Sequence, residues 1–531
     1  MSATKDTLDQ HWRQTAKTLL KGEVGSLWDY QDWLDRYSEK LTRGRSCIGE
    51  KEVLFAFTDY VGMDNRIALD EIDYKQKPEP LDSKKIMDFK SLLSVITPRV
   101  RYAGNVVLGN SGNIEQSSNV SDSFFIYNGA RLGNCKYCAF ATTGRLFEEC
   151  YGGCAIGESK CLIQCSESTW NQRCVEMWMS QSSSDCYYSY GLKNCQDCLF
   201  CFNLRNKRYC VGNRQLKPEE YNEIKDRLLA QMRERLVREK KLPSLMDLVR
   251  ESEKGKPPSL TMPVTPAKEI PFNKQAIETE FDRVCRLVLG RPFPGGIDIY
   301  SKWLKERVQP YAVCKSALSA KSITLSQYGP FKFMPKDRLL TQAEANAFGE
   351  QVRMSVEDTK VLTLDNASRK IGMLAYLNGE VIDGDITNVW ESSSIQDCSN
   401  TYCSSAVVHS KYIAYCFWPR SSSYMFGCDS VFDSSFCLKC YRSQNLNRCF
   451  ECDACSSCAD CLFCHNCENV ENGLFCFNAK GLRYAVGNVE VGREEFMRIK
   501  KMVLENLANE LEKKKEIRMS VFSLGSREDA I

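Results

Sequence analysis

Over two long stretches of this chain, every third residue is apolar or small, and the two residues between are mostly polar. In the second stretch the phase begins Ile386, Val389, Ser392, Ile395, Cys398, Thr401, Ser404, Val407, Ser410, Ile413, Cys416. It continues from Ser422 through Met425, Cys428, Val431, Ser434, Cys437, Cys440, Ser443 and Leu446. Seven consecutive cysteines follow in the same phase, Cys449, Cys452, Cys455, Cys458, Cys461, Cys464 and Cys467, and the phase reaches Cys476. The first stretch runs from Leu108 and Ser111 through Cys135, Cys138, Cys150, Cys165, Cys174, Cys186, Cys195, Cys198 and Cys201 to Cys210. Of the 26 cysteines in the two stretches only Cys154, Cys161 and Cys403 miss the phase. Chance would place about a third of them on it, so the spacing is a structural period.

A period of three belongs neither to an amphipathic helix nor to an ordinary strand. Held this long, it predicts a solenoid that stacks its phase residues into columns. Short strands broken by frequent corners, or polyproline-II-like segments, would both carry it. Cysteine in such a slot is first of all a small buried hydrophobe. Large and small phase residues alternate in the first stretch.

A shift of 275 residues superimposes the ends of the two stretches. Phe200-Cys201-Phe202-Asn203 falls on Phe475-Cys476-Phe477-Asn478, and Val211-Gly212-Asn213 falls on Val486-Gly487-Asn488. Tyr30, Trp33, Leu34 and Arg36 are echoed more loosely by Tyr300, Trp303, Leu304 and Arg307. The expected organisation is therefore a tandem duplication of α+β class. It comprises a mixed leader domain (1–103), a cysteine-rich solenoid (104–213), a capping helix (214–250), a Pro-rich linker (251–274), a second leader (275–382), a second solenoid (383–488), and a capping helix with tail (489–531). One helix is predicted to open at Lys217-Pro218-Glu219-Glu220, where proline and acids suit a first turn. Tyr221, Ile224, Leu228 and Leu229 give it an apolar face. The second helix is predicted from near Arg493, with Phe496, Ile499, Val503 and Leu507 on its face. Prolines 257, 258, 263, 266 and 271 mark the linker, and the tail after Val521 reads as unstructured.

Lys and Arg number 71 against 68 Asp and Glu, so the whole chain has no overall pull toward nucleic acid or membrane. Its polar first residues do not read as a secretory signal, and no apolar run has the length of a membrane span. These features place it in the cytoplasm, or in a virus particle assembled there, with its 29 cysteines as thiols or metal ligands.

The CxxC runs are the strongest chemical candidates, because two thiolates at that spacing form one knuckle of a tetrahedral zinc site. Candidate metal ligands are Cys195, Cys198, Cys201, Cys437, Cys440, Cys449, Cys452, Cys455, Cys458, Cys461, Cys464 and Cys467, with His465 beside the last run. Against this, the same phase slots carry Ser, Val, Ile and Leu, which a metal site does not accept in place of cysteine. The slots therefore read first as core thiols, with no cofactor, and second as zinc sites. A cysteine nucleophile needs a base, and His11, His409 and His465 sit in no catalytic pattern. Gly109-Asn110-Ser111-Gly112 reads as a turn rather than a phosphate loop. No catalytic residue is assigned. Arg205-Asn206-Lys207-Arg208-Tyr209, with Arg483-Tyr484 in the second copy, offers charge beside an aromatic ring, the combination that holds single-stranded nucleic acid.

The run Asn194-Cys195-x2-Cys198-x2-Cys201-x2-Leu204-Arg205-Asn206-Lys207-x-Tyr209-Cys210-x2-Asn213, followed by Glu219-Glu220-Tyr221, resembles a signature of uncharacterised cysteine-rich repeat proteins. These occur in candidate-phylum bacteria, are sometimes labelled zinc-ribbon or CaiB/BaiF-like, and extend to large DNA viruses. The resemblance implies zinc knuckles in the leader regions, yet only Cys47, Cys285 and Cys314 fall there, and it implies no activity. The expected function is a non-catalytic structural or assembly protein whose rigid cysteine-rich faces contact other proteins, such as a virus-particle component. Zinc binding and nucleic-acid binding are the alternatives.

Overall fold

The computed structural model describes residues 2–76, 78–253, 259–262 and 272–524. The five prolines that mark the linker lie outside the described residues, as does the tail beyond 524. Helices and strands alternate along the chain, so it is an α+β protein. Among the described residues, no helix is long and apolar enough to cross a membrane. Five helices frame the description: α1 (Ala3–Leu20), α2 (Pro218–Glu239), α3 (Leu245–Glu251), α4 (Lys274–Leu289) and α5 (Arg493–Lys514). The two helices expected after the cysteine-rich stretches are α2 and α5.

Both stretches of period three form parallel ladders in which a residue pairs with the one twelve positions later. Lys136 pairs with Glu148, Glu148 with Lys160 and Lys160 with Gln172. In the second stretch Tyr441 bridges to Asp453, Asp453 to His465 and His465 to Phe477. Four triplets therefore separate neighbours. One residue of each triplet lies in the left-handed region, for example Arg448, Glu451, Ala454, Ser457 and Asp460, with φ between 50° and 56°. That residue turns the chain. The next is the buried phase residue, and the one after it makes the ladder bridge. Frequent corners, not polyproline-II segments, carry the period. Left-handed backbone costs a non-glycine residue roughly 1–2 kcal/mol, least for Asn and Asp. Asn134, Asn194 and Asn466 occupy such corners, but so do Phe140, Trp170 and Arg448, which only the surrounding ladder can hold there.

The phase residues gather into two buried clusters, one per ladder. Serine and cysteine recur among them because their side chains complete the backbone hydrogen bonding. Ser404 Oγ donates to the Tyr402 carbonyl at 2.9 Å and accepts the Cys416 amide at 3.0 Å. One return further on, Cys416 Sγ accepts the Cys428 amide at 3.3 Å, and Cys428 Sγ accepts that of Cys440 at 3.4 Å. In the first ladder Ser183 Oγ accepts the Cys195 amide at 3.1 Å, and Ser189 Oγ that of Cys201 at 3.0 Å. The column thus carries its own acceptors, and a buried amide is expensive to leave without one.

The phase breaks where each ladder opens. Val107 pairs with Val120 and Ile382 with Ile395, thirteen residues apart instead of twelve. Gly109 (φ 63°) and Gly384 (φ 75°) stand at the extra residue. The following amides, of Asn110 and Asp385, donate to Asp122 Oδ1 and Asp397 Oδ1, each at 3.0 Å. The Gly109 turn is thus an edge bulge. It takes Leu108 out of the buried phase, and that side chain is 50 % exposed. Each ladder closes on an asparagine. The Asn213 side chain accepts from the Phe202 amide at 2.8 Å and donates to its carbonyl at 3.0 Å, and Asn488 does the same to Phe477 at 2.8 and 2.7 Å.

Outside the ladders the packing crosses over. Residues 8–37, α2 and α3 share one core with the outer surface of the first ladder, and residues 314–377 complete it. Residues 277–304 and α5 share another with the second ladder, and residues 53–102 complete that one. Among the described residues no core is confined to 1–103 or to 275–382, so the leader stretches are not self-contained cores. Each divides between the two ladders, since the faces it buries lie on both. The contacts repeat at one offset. Asn203 Nδ2 donates to the Tyr376 carbonyl at 2.8 Å, and Asn478 Nδ2 donates to that of Arg101 at 2.9 Å. The tail differs from expectation at its start. Val521, Phe522 and Leu524 are buried in the second core, because apolar surface remains there for them to cover.

Replacing Ser404 by Ala should cost about 1–3 kcal/mol in urea unfolding, because the Cys416 amide loses its acceptor. Ser404→Cys should recover most of that loss, as cysteine does this work one return further on. Equal losses for both variants would refute the acceptor role.

Candidate functional site

All twelve candidate ligands are buried, and each thiol points at the backbone. Cys449 Sγ lies 3.4 Å from the Asn447 carbonyl and 3.8 Å from that of Cys458. Cys452, Cys455, Cys458, Cys461 and Cys467 repeat the pattern, donating to carbonyls two residues before and nine after. Cys195 and Cys201 do the same in the first ladder. Cys198, Cys437, Cys440 and Cys464 contact the carbonyl two residues before. The columns bring the sulfurs together. Cys198 accepts from the thiols of Cys186, Cys195, Cys201 and Cys210, which draws its pKa down against the effect of burial. Around Cys452, burial opposes ionisation, but contacts from Cys440, Cys449, Cys455 and Cys464 outweigh it. Burial pushes Cys455 and Cys464 well up. A thiophilic ion would find its densest donor sets at Cys198 and Cys452. Among the described residues no group of three or more His, Cys, Asp or Glu side chains is arranged to hold a metal ion.

His465 does not join the thiols. It occupies a ladder position, and the ladder turns it away from Cys464 and Cys467 toward the aromatic rings of Tyr60, Tyr102 and Phe477. Its Nδ1 lies 3.1 Å from Asp453 Oδ2, which also accepts from the Tyr60 hydroxyl. Cys161 and Cys403 stand at left-handed corners, and Cys154 at a ladder position, so these three point away from the columns. Cys161 lies 3.3 Å from Glu149, whose other oxygen is 3.0 Å from His11 Nδ1. Here the carboxylate, not the imidazole, faces the thiol, and burial together with the Glu149 charge pushes that thiol up to about 12. The three side chains resemble a nucleophilic triad only in composition, because the group beside the thiol disfavours its ionisation.

Sequence reasoning missed a set of buried ionisable side chains that fasten the outer segments to the ladders. Lys439 is fully buried, 2.8 Å from Glu306 and 3.4 Å from Glu451. Glu451 also accepts the Val521 amide at 3.1 Å. Arg442 lies 3.2 Å from Asp59 and 4.2 Å above the Phe57 ring, and Arg307 reaches the same aspartate at 3.4 Å. Asp429 accepts the Gln309 amide at 3.0 Å.

The first ladder keeps the anchor but not the cation. Glu176 stands 275 residues before Glu451 and accepts the Leu245 amide at 2.9 Å and Trp178 Nε1 at 3.2 Å. The position matching Lys439 is Gln164, which donates to the Trp33 carbonyl. Without a cation, burial pushes Glu176 up to about 8, and Glu167 beside Tyr328 up to about 7. A signal was present in the sequence, since charged residues recur at ladder positions where hydrophobic neighbours imply burial.

The chemistry of these groups is fastening. Nucleophile, base and substrate-sized cavity do not converge anywhere among them. No family model, curated protein or solved structure matches the chain.

A carboxyl raised in the folded state holds its proton more tightly there than in the unfolded chain. Its stabilising contribution is full below the unfolded pKa near 4.5 and is lost as pH rises toward about 8. Glu176→Gln should therefore unfold like the parent at pH 5 and be more stable at pH 9, by on the order of a few kcal/mol. Parallel stability profiles from pH 5 to 9 would contradict this.

Proposed function

We propose that the protein is a non-catalytic structural or assembly component, built by tandem duplication into two closed, four-sided solenoids. The observation that carries the reading is the use of every candidate ligand thiol as a packed hydrogen-bonding group within a ladder. Four triplets per return give four sides. The first stretch's alternation then sets large residues opposite large and small opposite small. The matching pairs Asn203–Tyr376 and Asn478–Arg101 support a duplicated unit whose two copies clasp one another. Such a body is stiff along its ladders, which suits a scaffold or virus-particle component that presents fixed side-chain columns to other proteins.

Zinc binding is the second reading, favoured by the sulfur contacts around Cys198 and Cys452. Cys458 separates the two. Its sulfur donates to the Ser456 and Cys467 carbonyls, and its neighbours twelve residues away, Leu446 and Val470, are apolar. Cys458→Val should therefore cost less than about 1.5 kcal/mol, as a swap of similar volume in an apolar slot. Elemental analysis of the reduced protein should find less than one equivalent of zinc or iron, with most thiols protected from reagent until denaturation. Two or more metal ions per chain, with unfolding on chelation or on Cys458→Val, would replace the structural reading with the metal one.

A further inference from the structure

We propose that the solvent-facing corner of the first ladder binds single-stranded nucleic acid through its phosphodiester backbone. This rests on the ladder as a rigid scaffold and names one partner for it. The corner column includes Leu146, Glu158 and Trp170, flanked by the ladder columns that contain Arg145 and Lys160. Together the three columns, between residues 133 and 208, carry six cations, Lys136, Arg145, Lys160, Lys193, Arg205 and Arg208, against two carboxylates, Glu148 and Glu158. The matching columns 275 residues later carry four cations against three carboxylates. The near-neutral total charge conceals this difference.

The contrast is sharpest where the ladders end. In the second ladder Glu468 pairs with Lys480 at 2.8 Å and Glu471 with Arg483 at 3.3 Å. The corresponding residues in the first are Lys193 and Gln196, so Arg205 and Arg208 have no such carboxylate one return before them. Arg205 donates to Asn346, Arg208 lies 3.9 Å from Asp197, and Lys193 lies 3.4 Å from Asp383. Lys136 is 3.9 Å from Glu148. Among the described residues Arg145, Lys160 and Lys207 make no ion pair, and all three are exposed. In-register returns repeat about every 4.8 Å, so these cations form rows that can follow an extended backbone. Trp170 is 47 % exposed on the same corner, its Nε1 held by Glu158 at 2.8 Å. A ring presented beside a cationic row is what stacks a base while phosphates are held. The matching corner residue of the second ladder is Asn445.

The test is fluorescence anisotropy of the full-length protein with a labelled 30-nucleotide single strand and the equivalent duplex, between 50 and 200 mM NaCl. The single strand should bind more tightly, and affinity should fall with salt as counterions are released. Combining Arg145→Glu, Lys160→Glu and Arg205→Glu should weaken binding about 100-fold or more at low salt and flatten the salt dependence. Trp170→Ala should weaken the single strand about 5- to 10-fold and leave the duplex unchanged. Arg420→Glu with Lys480→Glu, in the second ladder, should change little. The affected side chains are exposed, and circular dichroism checks that each variant folds. No binding at 50 mM salt, preference for the duplex, or equal loss from the second-ladder variant would overturn the proposal. Any of these would leave the thiol and metal measurements untouched, so failure here is separable from failure of the structural reading.

Discussion

The structure depends on a backbone that turns at every third residue and must still find an acceptor for each buried amide. The left-handed corner supplies the turn and gives neighbouring returns their twelve-residue register. It also places the phase residue's N–H where only the column can satisfy it. A hydroxyl or thiol in the previous return meets that need, as Ser404 does for Cys416 and Cys416 does for Cys428. Alanine is too short to do so and valine offers no lone pair. Cysteine combines a weak acceptor with apolar volume, so its abundance follows from packing and hydrogen bonding together.

What the ladders lack is a way to cover their outer faces, and that need explains the crossing of segments between the halves. Each ladder is covered by helices from its own half and by an arm from the other. The buried ionisable groups lie at these junctions. Their two copies are not equivalent: Glu451 has Lys439 beside it, while Glu176 has only Gln164 and keeps its proton near neutrality. The duplicated positions have thus reached different electrostatic solutions to one fastening problem. The first is sensitive to alkaline pH, whereas the second is held by an ion pair whose partners would each be costly to remove alone.

The period, the two stretches, the closing helices and the 275-residue offset were legible in the sequence because each is a local pattern or a direct repeat. The side of the strand on which His465 lies was not read, although the triplet phase that buries Cys464 and Cys467 also turns the residue between them away. The corners left a trace too, since asparagine often precedes the phase residue, as in Asn134-Cys135, Asn194-Cys195 and Asn466-Cys467. Phenylalanine, tyrosine and arginine at other corners mask it. The opening bulges were hidden because the extra residue shifts the phase just where the pattern begins. The crossing of the arms was not legible at all. Contacts such as Tyr60 with Asp453 join residues far apart in the chain, and no periodicity encodes which of two similar surfaces a segment will cover.

That crossing makes the two ladders unequal during synthesis. The second ladder emerges after residues 53–102, the arm that completes its core, so its cover is present from the start. The first emerges well before residues 314–377, the arm it requires. At typical rates of about 5–20 residues per second, it must wait on the order of ten seconds with an apolar face uncovered. The N-terminal half is therefore the stretch for which chaperone protection during translation matters most, although the finished molecule treats its two halves almost alike.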